Sequence, residues 1–229
     1  MHVLIDLDGT LLDPSVGLIA SIQHALKQLG RPVPPATDLT WMIGPPLRVS
    51  FAQLLGGTEE AEAAVAHYRA YYGARGMYEA AVYAGIPEAL EALRAAGCRL
   101  IVATAKPHQF ARPILEHFAL AHRFDAIHGP ELDGTRDAKG ELIAFILAQE
   151  RIAIDAALMV GDRALDVSAA SSNGLPSIAV AWGYGTPAEL SAAGPAAICK
   201  TPQDLARLVL ATLGHPADAA AVLSARSPS

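Results

Sequence analysis

The chain has 229 residues, 52% of them hydrophobic and 17% charged, with a formal net charge of −6 and two cysteines. That balance excludes a disordered chain and a disulfide scaffold. With no Lys/Arg cluster and no apolar run approaching ~20 residues, it points to neither nucleic acid nor a membrane as partner. Cys98 and Cys199 are isolated, each in or beside an apolar segment, and are expected to be buried free thiols in a reducing cytoplasm.

His2 to Ile5 is an apolar, β-forming run that stops abruptly at Asp6-Leu7-Asp8-Gly9-Thr10, as a buried parallel strand does. After Pro14, apolar residues at helical spacing (Val16, Ile19, Ile22, Leu26, Leu29) predict a helix ended by Gly30. A Pro-rich connection over 31–37 precedes a short helix over 38–43. Gly44-Pro45-Pro46 then breaks the chain, and a helix runs from 46 or 47 to Leu55. Thr58 is the expected N-cap of the next helix, with Glu59 and Glu60 in its first turn. From 14 to 80 the pattern is helical only. From Val82 onward helices (87–96, 107–118, 138–150, 164–172, 187–192, 202–213) alternate with strands (98–103, 124–127, 157–160, 177–181, 197–199). Pro113 is expected to distort its helix. This alternation predicts an α/β fold, a parallel sheet with helices on both faces, built from residues 1–13 and 81–213. A helical unit (14–80) is inserted after the first strand, and a frayed tail (214–229) follows. Because the first strand ends in chemically useful acids, the N-terminus is not expected to be a signal peptide.

Four stretches carry chemistry. Strand alternation puts Asp6 and Asp8 on the same side, with Leu7 opposite, at the carboxyl end where open α/β sheets bind ligands. Two close carboxylates call for a hard divalent cation such as Mg²⁺. The plain alternative is an Asp-Gly turn. At Leu100 to Pro107 an apolar strand ends in Thr104-Ala105, either phosphoryl-oxygen ligands or a helix cap. Lys139 stands in the first turn of a helix, where the dipole disfavours a cation. It either neutralises a phosphoryl group or lies solvated. Leu158 to Asp166 is an apolar strand ending in Gly161-Asp162, with Asp166 about one helical turn on. Asp162 is placed as a metal ligand, and Asp166 either ligates through water or holds Lys139. Here the alternative is a surface turn.

Together and in this order, the four stretches resemble the signatures of the haloacid dehalogenase superfamily, most of whose members are phosphatases. The resemblance extends to about Leu213 and implies a Rossmann-like core with a small helical cap. Ile43 to Leu47, Thr104 to Pro107, 132–139 and Gly161-Asp162-Arg163 resemble the branch of phosphoglycolate phosphatases and 5′-nucleotidase-like hydrolases. The resemblance implies that Asp6 is a nucleophile forming an aspartyl-phosphate and that Asp8 is the general acid/base. Mg²⁺ would be held by Asp6, the Asp8 main-chain carbonyl and Asp162. Gly9, Thr10, Thr104, Ala105 and Lys139 would contact the phosphoryl group. Gly44 to Arg48 is the candidate cap loop, with Arg48 either a partner for an anionic substrate or a surface residue. The expected substrate is a small phosphorylated metabolite, phosphoglycolate first, with a nucleotide or sugar phosphate as the alternative. A phosphomutase and a non-catalytic binding module are the readings from other classes. Dehalogenation is disfavoured because the dehalogenase members do not carry the Asp8 acid. Monomer and dimer stay equally open.

Overall fold

The computed structural model describes residues 1–43 and 47–214. The candidate loop residue Gly44, its neighbours Pro45 and Pro46, and the tail beyond 214 lie outside the described residues. The chain divides into two compact units, one of Met1–Leu12 with the chain from Val82 onward, the other of Asp13–Ala81.

The first unit holds a parallel sheet of six strands. These are β1 (His2–Ile5), β4 (Arg99–Ala103), β5 (Ala126–His128), β6 (Ala157–Gly161), β7 (Ser177–Val180) and β8 (Ala197–Cys199), in the order β5-β4-β1-β6-β7-β8. Two short strands, β2 (Leu12–Asp13) and β3 (Ala81–Val82), pair separately where the chain passes between the units. Sequence patterning does not reveal them, because two residues are too few to show alternation.

The register explains why the motifs meet. Ile5 lies level with Val102 on one side and Val160 on the other. The next residues along β1, β4 and β6 are therefore Asp6, Ala103 and Gly161, and one step further Thr104 and Asp162 leave the same edge. Leu4, Ile101, Ala103 and Met159 share one face and pack against Leu142, Ile143 and Ile146 of α6 (Lys139–Gln149) and Ala169 and Ala170 of α7 (Ala164–Ser172). Their alternating neighbours Val3, Ile5, Leu100, Val102, Leu158 and Val160 are equally buried, so both faces are covered. Each such side chain contributes about 1.5–3 kcal/mol by burial, which fixes the strand ends rigidly. The helix containing Pro113 runs unbroken over His108–His117. Proline's ring removes one hydrogen bond there, to a carbonyl in the first turn.

The second unit comprises α1 (Ser15–Gln28), a 3₁₀ turn (Ala36–Met42), α2 (Leu47–Leu55) and α3 (Ala61–Ala74). The predicted short helix over 38–43 is this tighter turn. The chain enters α3 two residues later than the Thr58 cap implies: Glu60 is the capping residue, and the Ala61 N–H donates to the Thr58 carbonyl. Gly17 is required within this unit, since a Cβ would lie 1.8 Å from the Gly76 carbonyl oxygen.

Candidate active site

The site is built at the carboxyl ends of β4, β1 and β6. Leaving β1, the Asp6 N–H still donates to the Val160 carbonyl (2.9 Å), so the residue is held in the sheet and its side chain is aimed beyond it. Gly9 then turns the chain with φ +77°, a conformation open to glycine. A Cβ there would meet Asp162 Oδ2 at 2.2 Å. The absence of a side chain is what lets the first and fourth motifs touch.

Lys139 begins α6 and is 3% exposed. Its ammonium lies 2.9 Å from Asp6 Oδ1 and bonds Asp166 Oδ1. Burial works to discharge this lysine, but Asp166 and Asp6 outweigh it and hold the group well above the usual lysine range. Asp166 is also fixed through Oδ2, which accepts from the Arg163 N–H at 3.0 Å. Its approach depends on Gly161, where a Cβ would fall 2.2 Å from the Asp166 carboxyl carbon. Burial raises the Asp166 pKa, against the pull of Lys139.

Asp162 is 1% exposed. Its Oδ1 accepts from the Thr10 hydroxyl (3.5 Å) and its Oδ2 from the Tyr184 N–H (2.8 Å). Burial, reinforced by the Asp6 charge, pushes it up to about 7. Asp6, Asp162 and Asp166 bring one oxygen each within 4.8 Å of one another. Against these three buried acids stands the single ammonium of Lys139. An all-oxygen donor set with surplus negative charge fits a hard divalent ion.

Several expected site residues differ in detail. The carboxylate cluster contains Asp166 and not the Asp8 side chain, which turns instead to Lys106, its Oδ2 lying 2.8 Å from Lys106 Nζ. Burial raises the Asp8 pKa, and Lys106 opposes it. The N–H groups of Gly9 and Thr10 are engaged inside their turn, with the carbonyls of Leu12 (2.8 Å) and Leu7 (3.3 Å). Their contribution here is to shape the turn and support Asp162, not to offer free amide donors. Thr104 is buried, its N–H donating to the His128 carbonyl (3.1 Å) and its hydroxyl accepting from the Lys106 N–H (3.1 Å), with Ala105 exposed beside it. In the helical unit, Arg48 pairs with Glu62 at 2.6 Å, both side chains largely exposed.

Other contributors escape sequence reading. Lys106 is one. The segment after β7 is another: Trp182 Nε1 donates to the Thr10 carbonyl (3.0 Å), and Gly183 lies so close that a Cβ would be 2.4 Å from Asp162 Oδ2. Glu189 accepts from Arg163 Nε (2.8 Å) and the Ala164 N–H (2.9 Å), fixing the start of α7. Two glycines flanking Tyr184 at the carboxyl end of a strand were the available signal for the second group.

Residues 3–180 match the family model described as haloacid dehalogenase-like hydrolase. A 5′-nucleotidase of Pseudomonas aeruginosa is 48% identical over 208 residues, covering 90% of this chain and 93% of the relative. The tyrosine-protein kinase PtkA of Mycobacterium tuberculosis is 43% identical over 183 residues, 80% of this chain and 62% of the relative. The crystal structure of a predicted phosphatase from Clostridium acetobutylicum superposes with a TM-score of 0.84 at 41% identity, covering 92% of this chain and 98% of that one.

Proposed function

The chain belongs to the haloacid dehalogenase-like hydrolase family and is a phosphatase, and from that premise we propose that it hydrolyses a small phosphomonoester in a Mg²⁺-dependent reaction through an aspartyl-phosphate on Asp6. The observation that carries this reading is the Asp6 carboxylate, rigidly placed at a strand end, paired with a buried lysine and clustered with two further acids. In the first half-reaction an Asp6 oxygen attacks phosphorus and the ester P–O bond breaks. The departing alkoxide takes the proton carried by Asp8. In the second, Asp8 accepts a proton from water as the water oxygen attacks phosphorus, and the Asp6 carboxylate leaves with release of inorganic phosphate. Lys139 and Thr104 hold phosphoryl oxygens, and Lys139 keeps its proton throughout. Asp6, the Asp8 main-chain carbonyl and Asp162 would hold Mg²⁺, whose chemistry there would be neutralisation of phosphoryl charge.

Motif resemblance favours phosphoglycolate as substrate. The 48% identical 5′-nucleotidase favours a nucleoside 5′-monophosphate. Selectivity is assigned to the helical insertion, with Arg48 the candidate for an anionic group of the substrate. The test is phosphate release with Mg²⁺ over a panel of phosphoglycolate, nucleoside 5′-monophosphates, sugar phosphates and p-nitrophenyl phosphate. Acid-quenched [³²P]phosphoenzyme is measured in parallel. Label retained in a bisphosphorylated product without net phosphate release would mark a phosphomutase. Label moved to a tyrosine hydroxyl would mark the activity named for PtkA. No turnover and no label would leave a binding module.

A further inference from the structure

The Asp8 carboxylate has a lysine of its own. Lys106 follows Thr104 by two residues, and its position is dictated by backbone. Its N–H donates to the Thr104 hydroxyl at 3.1 Å, tightening the turn off β4. Pro107 restrains it from helical conformation. Its carbonyl packs on Gly129, where a Cβ would sit 2.2 Å away. The outcome is a lysine side chain only 8% exposed, its ammonium delivered across the sheet edge to within 2.8 Å of Asp8 Oδ2. Ordering a lysine chain and removing its head from water is costly and needs compensation by a close anion. On the other side of the pair, the remaining oxygen, Oδ1, is buried and has no hydrogen-bond partner among the described residues. The Asp8 carboxylate is thus oriented through one ionic contact, and Lys139 serves the other acid of the motif.

From this geometry we infer that Lys106 is the positioning residue for Asp8: it fixes the carboxylate in the orientation from which a proton reaches the leaving oxygen. The inference rests on the phosphatase reading and adds to it a residue that acts through Asp8. Misplacement of a catalytic group by about 1 Å costs up to 10²-fold. That cost is felt where the leaving group needs its proton.

The experiment compares kcat/KM, which reports steps through leaving-group departure. The substrates are the alkyl phosphomonoester turned over fastest in the panel and p-nitrophenyl phosphate, whose leaving group needs little protonation. In Lys106→Met the alkyl-to-aryl ratio should fall by about tenfold or more, and Lys106→Arg should restore part of it. An equal fall on both substrates, or a rise in KM alone, overturns the inference, since a phosphoryl ligand or a merely structural residue gives that pattern. If Lys106→Met does not fold, Lys106→Gln, nearly as long and still polar, is read in the same way. Crystal structures separate this from failure of the phosphatase reading. If the wild type releases phosphate from nothing in the panel, that reading fails by itself. An Asp8 carboxylate that keeps its wild-type orientation in the Lys106 variant overturns the present inference whatever the activity.

Discussion

Replacing Asp162 by Asn should make the metal-free protein more stable, not less. The Asp162 carboxylate is 1% exposed and shares its surroundings with Asp6 and Asp166. Ionising it there is opposed first by burial and then by the Asp6 charge, so its pKa rises from an ordinary 3.8 to about 7. Because the folded pKa lies above the unfolded one, the folded chain holds this proton longer. The penalty is absent below the unfolded value and complete above the folded one. Full ionisation then costs about 4 kcal/mol. Asn keeps the shape and both contacts: its carbonyl can accept from the Tyr184 N–H, and its amide can face the Thr10 hydroxyl. In EDTA at about pH 8 the variant should gain about 2–4 kcal/mol, or about 5–15 °C in Tm for a chain of this size. The advantage should shrink by about 2 kcal/mol on going down to about pH 5.5. Urea melts of both proteins across that range measure it. A variant less stable than wild type in EDTA at the higher pH, or an advantage independent of pH, would refute the assignment of charge repulsion to this position.

Asp6→Asn should abolish phosphate release and acid-stable phosphoenzyme while circular dichroism shows the fold intact, because an amide cannot serve as the nucleophile. Lys139→Met should lower stability by about 3–5 kcal/mol at neutral pH, since Asp6 and Asp166 are left buried without their cation; an unchanged denaturation midpoint would count against the ion pairs. Gly9→Ala should cost about 2 kcal/mol or more and weaken Mg²⁺ binding measured by calorimetry, because its Cβ would strike Asp162 Oδ2. Activity should stop in EDTA and return with Mg²⁺, whereas Ca²⁺ should bind and support little turnover, its longer bonds misplacing the phosphoryl group.

What could be read in the sequence was what sits at strand ends. Asp6, Thr104 and Asp162 each follow an apolar run, and parallel register carries them to one edge without further information. Lys139 was recognisable as a lysine in the wrong place for its helix. The rest depended on reach and packing, which have no period. Nothing in Thr104-Ala105-Lys106-Pro107 states that a four-carbon side chain folds back on Asp8 rather than out to water. Glu189 supports α7 from 25 residues away, and Trp182 reaches Thr10 across 172. For Asp166 the sequence leaves two roles open, water-mediated ligation or holding Lys139; the structure pairs it with Lys139 and sets one of its oxygens within 4.8 Å of those of Asp6 and Asp162.

The pairing of two acids with two lysines bears on how one short motif supplies unlike functions. Asp6 and Asp8 are chemically the same group two residues apart; burial raises the pKa of Asp8, and repulsion from Asp6 adds to it. A single shared cation would treat them alike. Here Lys139 arrives from the start of α6 and draws Asp6 into the group with Asp162 and Asp166. Lys106 arrives from the loop after β4 and draws the Asp8 side chain the other way. The first environment is crowded with negative charge and suits a divalent ion and a phosphoryl group. The second is an ion pair in which Asp8 Oδ1 has no hydrogen-bond partner among the described residues. Different neighbours drive identical carboxyl groups toward different duties. On the proposed mechanism those duties are nucleophile and proton carrier. Exchanging the partners' charges one at a time should therefore produce unlike defects: loss at Lys139 should slow every phosphomonoester, and loss at Lys106 should select against poor leaving groups. Identical substrate profiles for the two variants would mean that the lysines serve one undivided electrostatic role.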